Sequence, residues 1–340
     1  MPSTILDIAA LTGISKSTVS RYLNKGSVGK NSAQVIESAI KQLDYAPNIN
    51  ARRLVSHKSG ILGIVIDDIS DYIYGAMLSG IQSAANEHGF MCTFFSRKPT
   101  QAAETSYLHL FAGGQVDGLL FASFRKRNPD EVRLLIRSGQ PIVLIGEHSG
   151  EQRLSSVDVD NLNGTMEEVL HIIKQGHRRI AYLAGPEPMS ASAARLRGYQ
   201  KALEISGIEL DPDLVEQIGW SVLEGERGAK ILLARTNFTS LVGSNSFCTY
   251  GAMTALQAAG YRVPEDISVA GFDDDLLTTI AKPALTTLSQ PFARIGSTAV
   301  EQLVRLIAGE SEQHAAIYIQ PKLIVRESTG IVQQTEEAAC

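Results

Sequence analysis

From Ile61 onward, short unbroken apolar runs alternate with stretches of helical periodicity. That alternation restricts the chain to parallel sheets covered on both faces by helices. Residues 61–67 are a β-branched run, and 74–89 carry Met77, Ile81, Ala84 and Ala85 at helical spacing. A strand at 90–95, a helix at 103–112, a strand at 118–122, a helix at 129–138 and a strand at 142–145 follow. A second series begins after Asp160: helix 164–175, strand 179–184, helices 193–206 and 225–234, strand 240–243, helix 250–259 and strand 268–271. A helix at 294–308 and a last strand near 317–325 complete it. Two α/β units of similar size are expected. Open sheets of this kind bind ligands at the carboxyl ends of their strands, here the loops 67–74, 146–148, 185–195, 244–249 and 273–277.

The first 60 residues are patterned differently. Residues 4–44 read as three short helices joined by tight turns. Thr4 and Asp7 have capping-box spacing, and Ile5, Ile8 and Ala9 form an inner stripe. The third helix is expected to start near Ser32 and to bury Val35, Ile36, Ala39, Ile40 and Leu43. Between them Ser15 can cap a helix that presents Lys16, Ser17 and Arg21 outward while Val19 and Leu23 face inward. A polar, cationic outer face on a short helix suits the major groove of DNA. Pro47 ends the third helix, and 48–60 is a cationic connector too short to be a stable helix unaided. Residues 1–59 hold eight Lys/Arg against three acids, a net +5, whereas the whole chain is −5, so the remainder carries −10. A basic head on an acidic body argues for a polyanionic partner at the N-terminus only.

Several chemistries lack their signatures. No GxGxxG follows a strand, so no dinucleotide cofactor is expected, and 26–30 have the wrong glycine spacing for a phosphate loop. No GxSxG elbow and no HExxH pair occur, so no catalytic residue and no metal site are assigned. His177 reads as a turn or cap histidine. Three widely spaced cysteines give no disulfide framework. Neither a leader nor an apolar run of membrane-spanning length is found, so a cytoplasmic protein without a membrane partner is expected.

In order along residues 4–330, the chain resembles the LacI/GalR family of bacterial transcriptional regulators. The motifs are Ile14-Ser15-Lys16-Ser17-Thr18-Val19-Ser20-Arg21-Tyr22-Leu23-Asn24, Tyr45-Ala46-Pro47-Asn48, Gly176-His177-Arg178-Arg179-Ile180, the run from Val263 to Asp274, and Pro283-Ala284-Leu285-Thr286-Thr287. The resemblance implies an α/β chain: a three-helix helix-turn-helix head plus a periplasmic-binding-protein-like core of two doubly wound parallel-sheet subdomains. It places the head at 1–47, a hinge helix at 48–59, one core subdomain at 60–160 and 291–320, the other at 161–290 and 321–330, and a flexible tail at 331–340. It implies a repressor that is not an enzyme. Its partners would be a palindromic double-stranded operator, a sugar-like effector and a second copy of the chain. The alternatives are a corepressor-dependent or activating member, or a cytosolic sugar-binding module without DNA binding.

By the same resemblance Lys16, Ser17 and Arg21 read bases, while Ser15, Thr18, Ser20 and Asn24 contact phosphates. Asn50, Ala51 and Leu54 belong to a hinge helix, with Leu54 as a minor-groove wedge. The effector falls to Ser70, Asp71, Tyr74, Glu147, Arg195, Trp220, Asn245, Ser246, Asp273 and Gln290. One departure stands out: Ser246 occupies a position where the family usually has an Asp that accepts hydrogen bonds from effector hydroxyls. Glu147 is the candidate to compensate. An effector other than a plain hexose, one that is larger, modified or acidic, is expected from this.

Overall fold

The protein is described from a computed structural model, covering residues 3–23, 26–45, 58–70, 73–96, 104–125, 127–146, 154–187, 189–310 and 315–332. The chain divides into two compact units, Met1–Ser59 and Gly60–Cys340. The expected sites Asn24, Asn50, Ala51, Leu54, Asp71 and Glu147 lie outside the described residues, as does most of the connector.

The first unit is three helices, α1 (Ile5–Thr12), α2 (Lys16–Leu23) and α3 (Lys30–Gln42). The Thr4–Asp7 capping box forms, and Gly13, at φ 69°, closes α1 in the left-handed conformation that permits the tight turn into α2. The core is small: Ile8, Val19, Ile36, Ala39 and Tyr45 are buried, with Ile5, Ala9, Leu23, Ile40 and Leu43 packed around them. Ile36 and Ala39 are buried as expected, but Val35, also expected inside, is exposed, because it stands about 100° around the helix from Ile36.

The second unit holds two six-stranded sheets. In the first the order is β11-β5-β4-β3-β1-β2, with β1 (Ile61–Ile66), β2 (Met91–Ser96), β3 (Gly118–Ala122), β4 (Ile142–Ile145), β5 (Ser155–Val159) and β11 (Ala316–Ile319), all parallel. In the second the order is β12-β10-β9-β8-β6-β7, with β6 (Ile180–Ala184), β7 (Val215–Gln217), β8 (Ser240–Gly243), β9 (Ser268–Phe272), β10 (Thr286–Ser289) and β12 (Lys322–Ile324). Only β12 runs antiparallel to its neighbour. The helices are α4 (Ile73–Glu87), α5 (His109–Ala112), α6 (Pro129–Arg137), α7 (Asn161–Lys174), α8 (Ser190–Ile205), α9 (Val222–Arg235), α10 (Ser246–Ala258), α11 (Leu276–Ile280) and α12 (Phe292–Ala308).

The main departures from the sequence pattern have physical causes. The single last strand expected at 317–325 is two strands in different sheets, broken at Gln320-Pro321, where proline cannot donate to a ladder. The helix expected at 103–112 is a 3₁₀ stretch, Glu104–Leu108, followed by one α-turn. Strands β5, β7 and β10 escaped the apolar-run criterion because β5 and β10 bury Ser155, Ser156, Thr286 and Thr287, and β7 is a three-residue edge. Consequently the chain passes between the sheets three times, at β5 to α7, β10 to α12 and β11 to β12.

The C-terminal residues brace the second sheet. Arg326 pairs with Asp274 at 2.7 Å, and Ser328 donates to Val269 O at 2.6 Å. His177 lies 3.0 Å from both Thr239 Oγ1 and Gly330 O. The carbonyl can only accept, so Nε2 carries the proton and Nδ1 accepts from the Thr239 hydroxyl. Burial depresses the His177 pKa, which favours that neutral form. His177 is a structural tie. Val332 still donates to Gln175 O, so the first residues of the expected tail are held.

Helices α7 and α8 pack side by side and carry the residues under the strand ends. Gly198 on α8 permits their close approach: a Cβ there would stand 2.3 Å from Leu162 O and 3.0 Å from the Thr165 Cβ. Gly198→Ala should lower stability by about 1–3 kcal/mol through forced separation of the pair, measurable by urea unfolding; an unchanged midpoint would show that the helices can slide apart freely. On the same inner face Glu168 is 1% exposed, and neither carboxylate oxygen has a hydrogen-bond partner. Burial raises its pKa well above the carboxylate range, against the Arg195 charge that lowers it, and the Asp273 carboxylate raises it further. Since the folded value lies above the unfolded one, the group costs nothing at low pH and progressively more as pH climbs past about 4.3. Glu168→Gln should therefore match the parent in melting temperature near pH 4 and exceed it increasingly toward neutrality. A constant offset at all pH values would show Glu168 to be ionised in the fold.

Candidate functional sites

In the first unit, Ser15 precedes α2 and accepts from Thr18 N at 3.3 Å, the contact of a capping serine. Its hydroxyl also lies 2.9 Å from both Ser17 Oγ and Thr18 Oγ1. These bonds line three hydroxyls along the first turn. Lys16, Ser17 and Arg21 are exposed, while Val19 is fully buried beneath them; Thr18 and Ser20 are half-buried at the flanks. The side chains of Lys16 and Arg21 make no hydrogen bond or ion pair among the described residues. The helix thus offers two free cations and a hydroxyl row on one face, fixed to a core by the other.

In the second unit, a cavity opens at the carboxyl ends of both sheets, with about 680 Å³ of empty space, part of it open to solvent. Asp158 and Val159 line it from the end of β5, Asn161 from the first position of α7, and Ile73 from the start of α4. Asn245, Asp273 and Gln290 follow the ends of β8, β9 and β10. Phe124, Trp220, Phe247 and Phe292 supply four aromatic walls, with Met189 and Ala191 between them. Among the described residues, one sheet's loops meet the other's through a backbone bridge between Arg125 and Met189 and a hydrogen bond from Ser190 Oγ to Gly146 O at 3.2 Å.

Arg195, 4% exposed, dominates the polar end. It projects from α8, donates from Nε to Asn161 Oδ1 at 2.8 Å and from Nη1 to Ser244 O at 2.5 Å. Its guanidinium carbon sits 3.6 Å above the Phe272 ring and 5.5 Å from that of Trp220. Trp220 is pinned by donating from Nε1 to Ser244 Oγ at 3.0 Å. Asn245 caps α10 by accepting from Cys248 N at 2.9 Å. Asp273, at φ 77°, holds a left-handed backbone that few non-glycine residues adopt, and its carboxylate accepts from the Gln290 amide.

Of the effector residues expected from sequence, Arg195, Trp220, Asn245, Asp273 and Gln290 come together on this cavity. Three described ones stand apart. Tyr74 is buried in the first sheet's core, its hydroxyl donating to Ala122 O at 3.1 Å; its neighbour Ile73 lines the cavity instead. Ser70 is exposed and bonded to Asp68 in a turn. Ser246 is buried, its hydroxyl donating to Asp275 Oδ2 at 2.6 Å. Sequence reasoning missed Asp158 and Asn161, which a strand end marked by the Asp160 cap could have revealed. Of the aromatic walls Trp220 was expected, whereas Phe124, Phe247 and Phe292 carry no motif and only the fold identifies them.

These features agree with what the chain is similar to. Residues 4–48 match the model of bacterial regulatory proteins of the lacI family, and 169–329 match that of a periplasmic binding protein-like domain. The HTH-type transcriptional regulator DegA of Bacillus subtilis (strain 168) is 30% identical over 97% of this chain and 99% of its own. Among solved structures, a transcriptional regulator CelR–cellobiose complex is 31% identical, with TM-score 0.72 over 96% of this chain and 99% of that one. The lac repressor dimer bound to operator and the anti-inducer ONPF is 26% identical, with TM-score 0.84 over 97% and 100%. The relatives are transcriptional regulators rather than enzymes, and among the described residues no helix is long and apolar enough to cross a membrane. With a capped, cation-bearing helix in its first unit and a two-sheet cleft in its second, the chain belongs to the LacI family of DNA-binding transcriptional regulators.

Proposed function

We propose that the protein is a homodimeric repressor whose affinity for a palindromic operator is switched by a small sugar-like effector held in the cleft around Arg195. The observation that carries this reading is the convergence of Arg195, Asn161, Asn245 and Asp273 on a cavity walled by aromatic rings at the strand ends of both sheets. Rings cover the apolar faces of a sugar while the polar end engages its hydroxyls.

In the head, Lys16, Ser17 and Arg21 are the base-reading residues, and Ser15, Thr18 and Ser20 fix register on phosphates. The boundaries go with this: a head at 1–47, a hinge at 48–59 that engages the minor groove through Leu54, and subdomains that exchange partners near 160, 290 and 320. Ligand closure of the cleft alters how two copies present their heads. For this to regulate, effector and operator must favour different dimer states, with a coupling of about 1–3 kcal/mol.

The test uses palindromic sites selected from random DNA on the full chain, read by fluorescence anisotropy against salt, with and without a panel of sugars. A sequence-specific complex that a sugar weakens is the expected outcome. A sugar that strengthens the complex would make the protein corepressor-dependent, and absence of any specific complex at low salt would remove the DNA-binding role. Arg21→Ala should lose preference at one symmetric base pair, a cost of about 1–3 kcal/mol, while keeping salt-dependent nonspecific binding. Uniform weakening on every sequence would make Arg21 a phosphate contact.

A further inference from the structure

We infer that the effector is a sugar acid whose carboxylate lies edge-on against Arg195 beside the Asn245 amide; the inference rests on the reading of the cleft as an effector site.

Arg195 is a buried cation with neutral partners. Among the described residues it bonds only the Asn161 amide oxygen and the Ser244 carbonyl, with no ion pair. A desolvated guanidinium without a counter-ion is costly, and an anionic ligand removes that cost. Glu168, on the adjacent helix, is buried with both carboxyl oxygens unpartnered, so it makes no hydrogen bond or ion pair with Arg195.

Geometry narrows the anion. Phe272 lies 3.6 Å from the guanidinium carbon and Trp220 5.5 Å, so a ligand reaches the group through the N–H donors in its plane. Nε–H and one Nη1–H are taken, which leaves one N–H on Nη1 and two on Nη2. That planar fork matches the two oxygens of a carboxylate. Asn245 spends its oxygen on the helix cap, so its NH₂ group, without a partner among the described residues, adds two donors. The neighbouring Ser246 hydroxyl points to Asp275 and provides no acceptor here. Donors therefore exceed acceptors at this end. Asp158 and Asp273, which also line the cavity, suit ring hydroxyls and disfavour the second negative charge of a phosphate ester.

Isothermal titration calorimetry of the full chain tests this with D-glucuronate, D-galacturonate and D-gluconate beside D-glucose, D-galactose, cellobiose and uridine. One of the acids should bind at least about ten-fold more tightly than its neutral counterpart. Asn245→Asp preserves an oxygen for the cap but places a negative charge beside Arg195, so it should cut that affinity about ten-fold or more with the melting temperature retained. A neutral sugar or uridine binding as tightly as the best acid overturns the inference and leaves the effector-site reading standing. Undiminished acid binding by Asn245→Asp overturns the placement of the carboxylate. Failure of every compound to bind overturns the inference and the effector-site reading together.

Discussion

The clamp on Arg195 is the interaction around which the second unit is arranged. Its two hydrogen bonds reach the first residue of α7 and the loop after β8, and its cationic face rests on Phe272 at the end of β9. One side chain thus joins three strand-end segments that are far apart in sequence. Each contact is modest, about 1.5–3 kcal/mol for a hydrogen bond to a charged group. Their joint effect is geometric: the guanidinium plane is held and its remaining N–H groups open on the cavity. Trp220, bonded to the Ser244 whose carbonyl Arg195 also engages, is positioned by the same clamp.

The three chain crossings between the sheets determine what this clamp can regulate. Asn161 stands immediately after the first crossing, Gln290 immediately before the second, and both line the cavity. A ligand bound to them touches the segments about which the two sheets can rotate. The Arg125–Met189 bridge and the Ser190–Gly146 bond join the sheets away from those crossings, on loops that also bring Phe124 and Met189 to the cavity wall. These loops of the two sheets are therefore tied directly to each other, by one backbone bridge and one side-chain bond.

Much of the fold was legible because its signals are periodic. The parallel strands at 61–66, 118–122 and 240–243 are continuous apolar runs, and only a sheet covered on both faces accommodates them. Strands β5 and β10 were not legible, since they bury serines and threonines; Thr286 of β10 is satisfied by the distant Ser328 and Thr329, and nothing local marks Ser155 and Ser156 of β5 as buried. The polar half of the cavity was readable at Arg195, Asn245, Asp273 and Gln290, where motif and strand end coincide. The apolar half was not: nothing local separates Phe124 or Phe292 from a core residue. Tyr74 erred in the opposite direction, because a one-residue shift along a helix turns a side chain by about 100° and here carries it from cavity to core.

The head poses a separate energetic problem. Five buried side chains form its core, too few to give large intrinsic stability to a unit of this size. Its capping bonds at Thr4 and Ser15 each contribute about 1 kcal/mol, so they are a substantial fraction of what holds α1 and α2 in place. A reader this marginal gains little from adding phosphate contacts alone, which raise affinity for all sequences equally. It gains more from a second identical reader fixed at one spacing. Two half-sites bound together multiply discrimination over what one head achieves. In the proposed homodimer the weak head and the strongly clamped cleft are complementary: the first gains its selectivity from a partner copy, and the second is where an effector would bias that partnership.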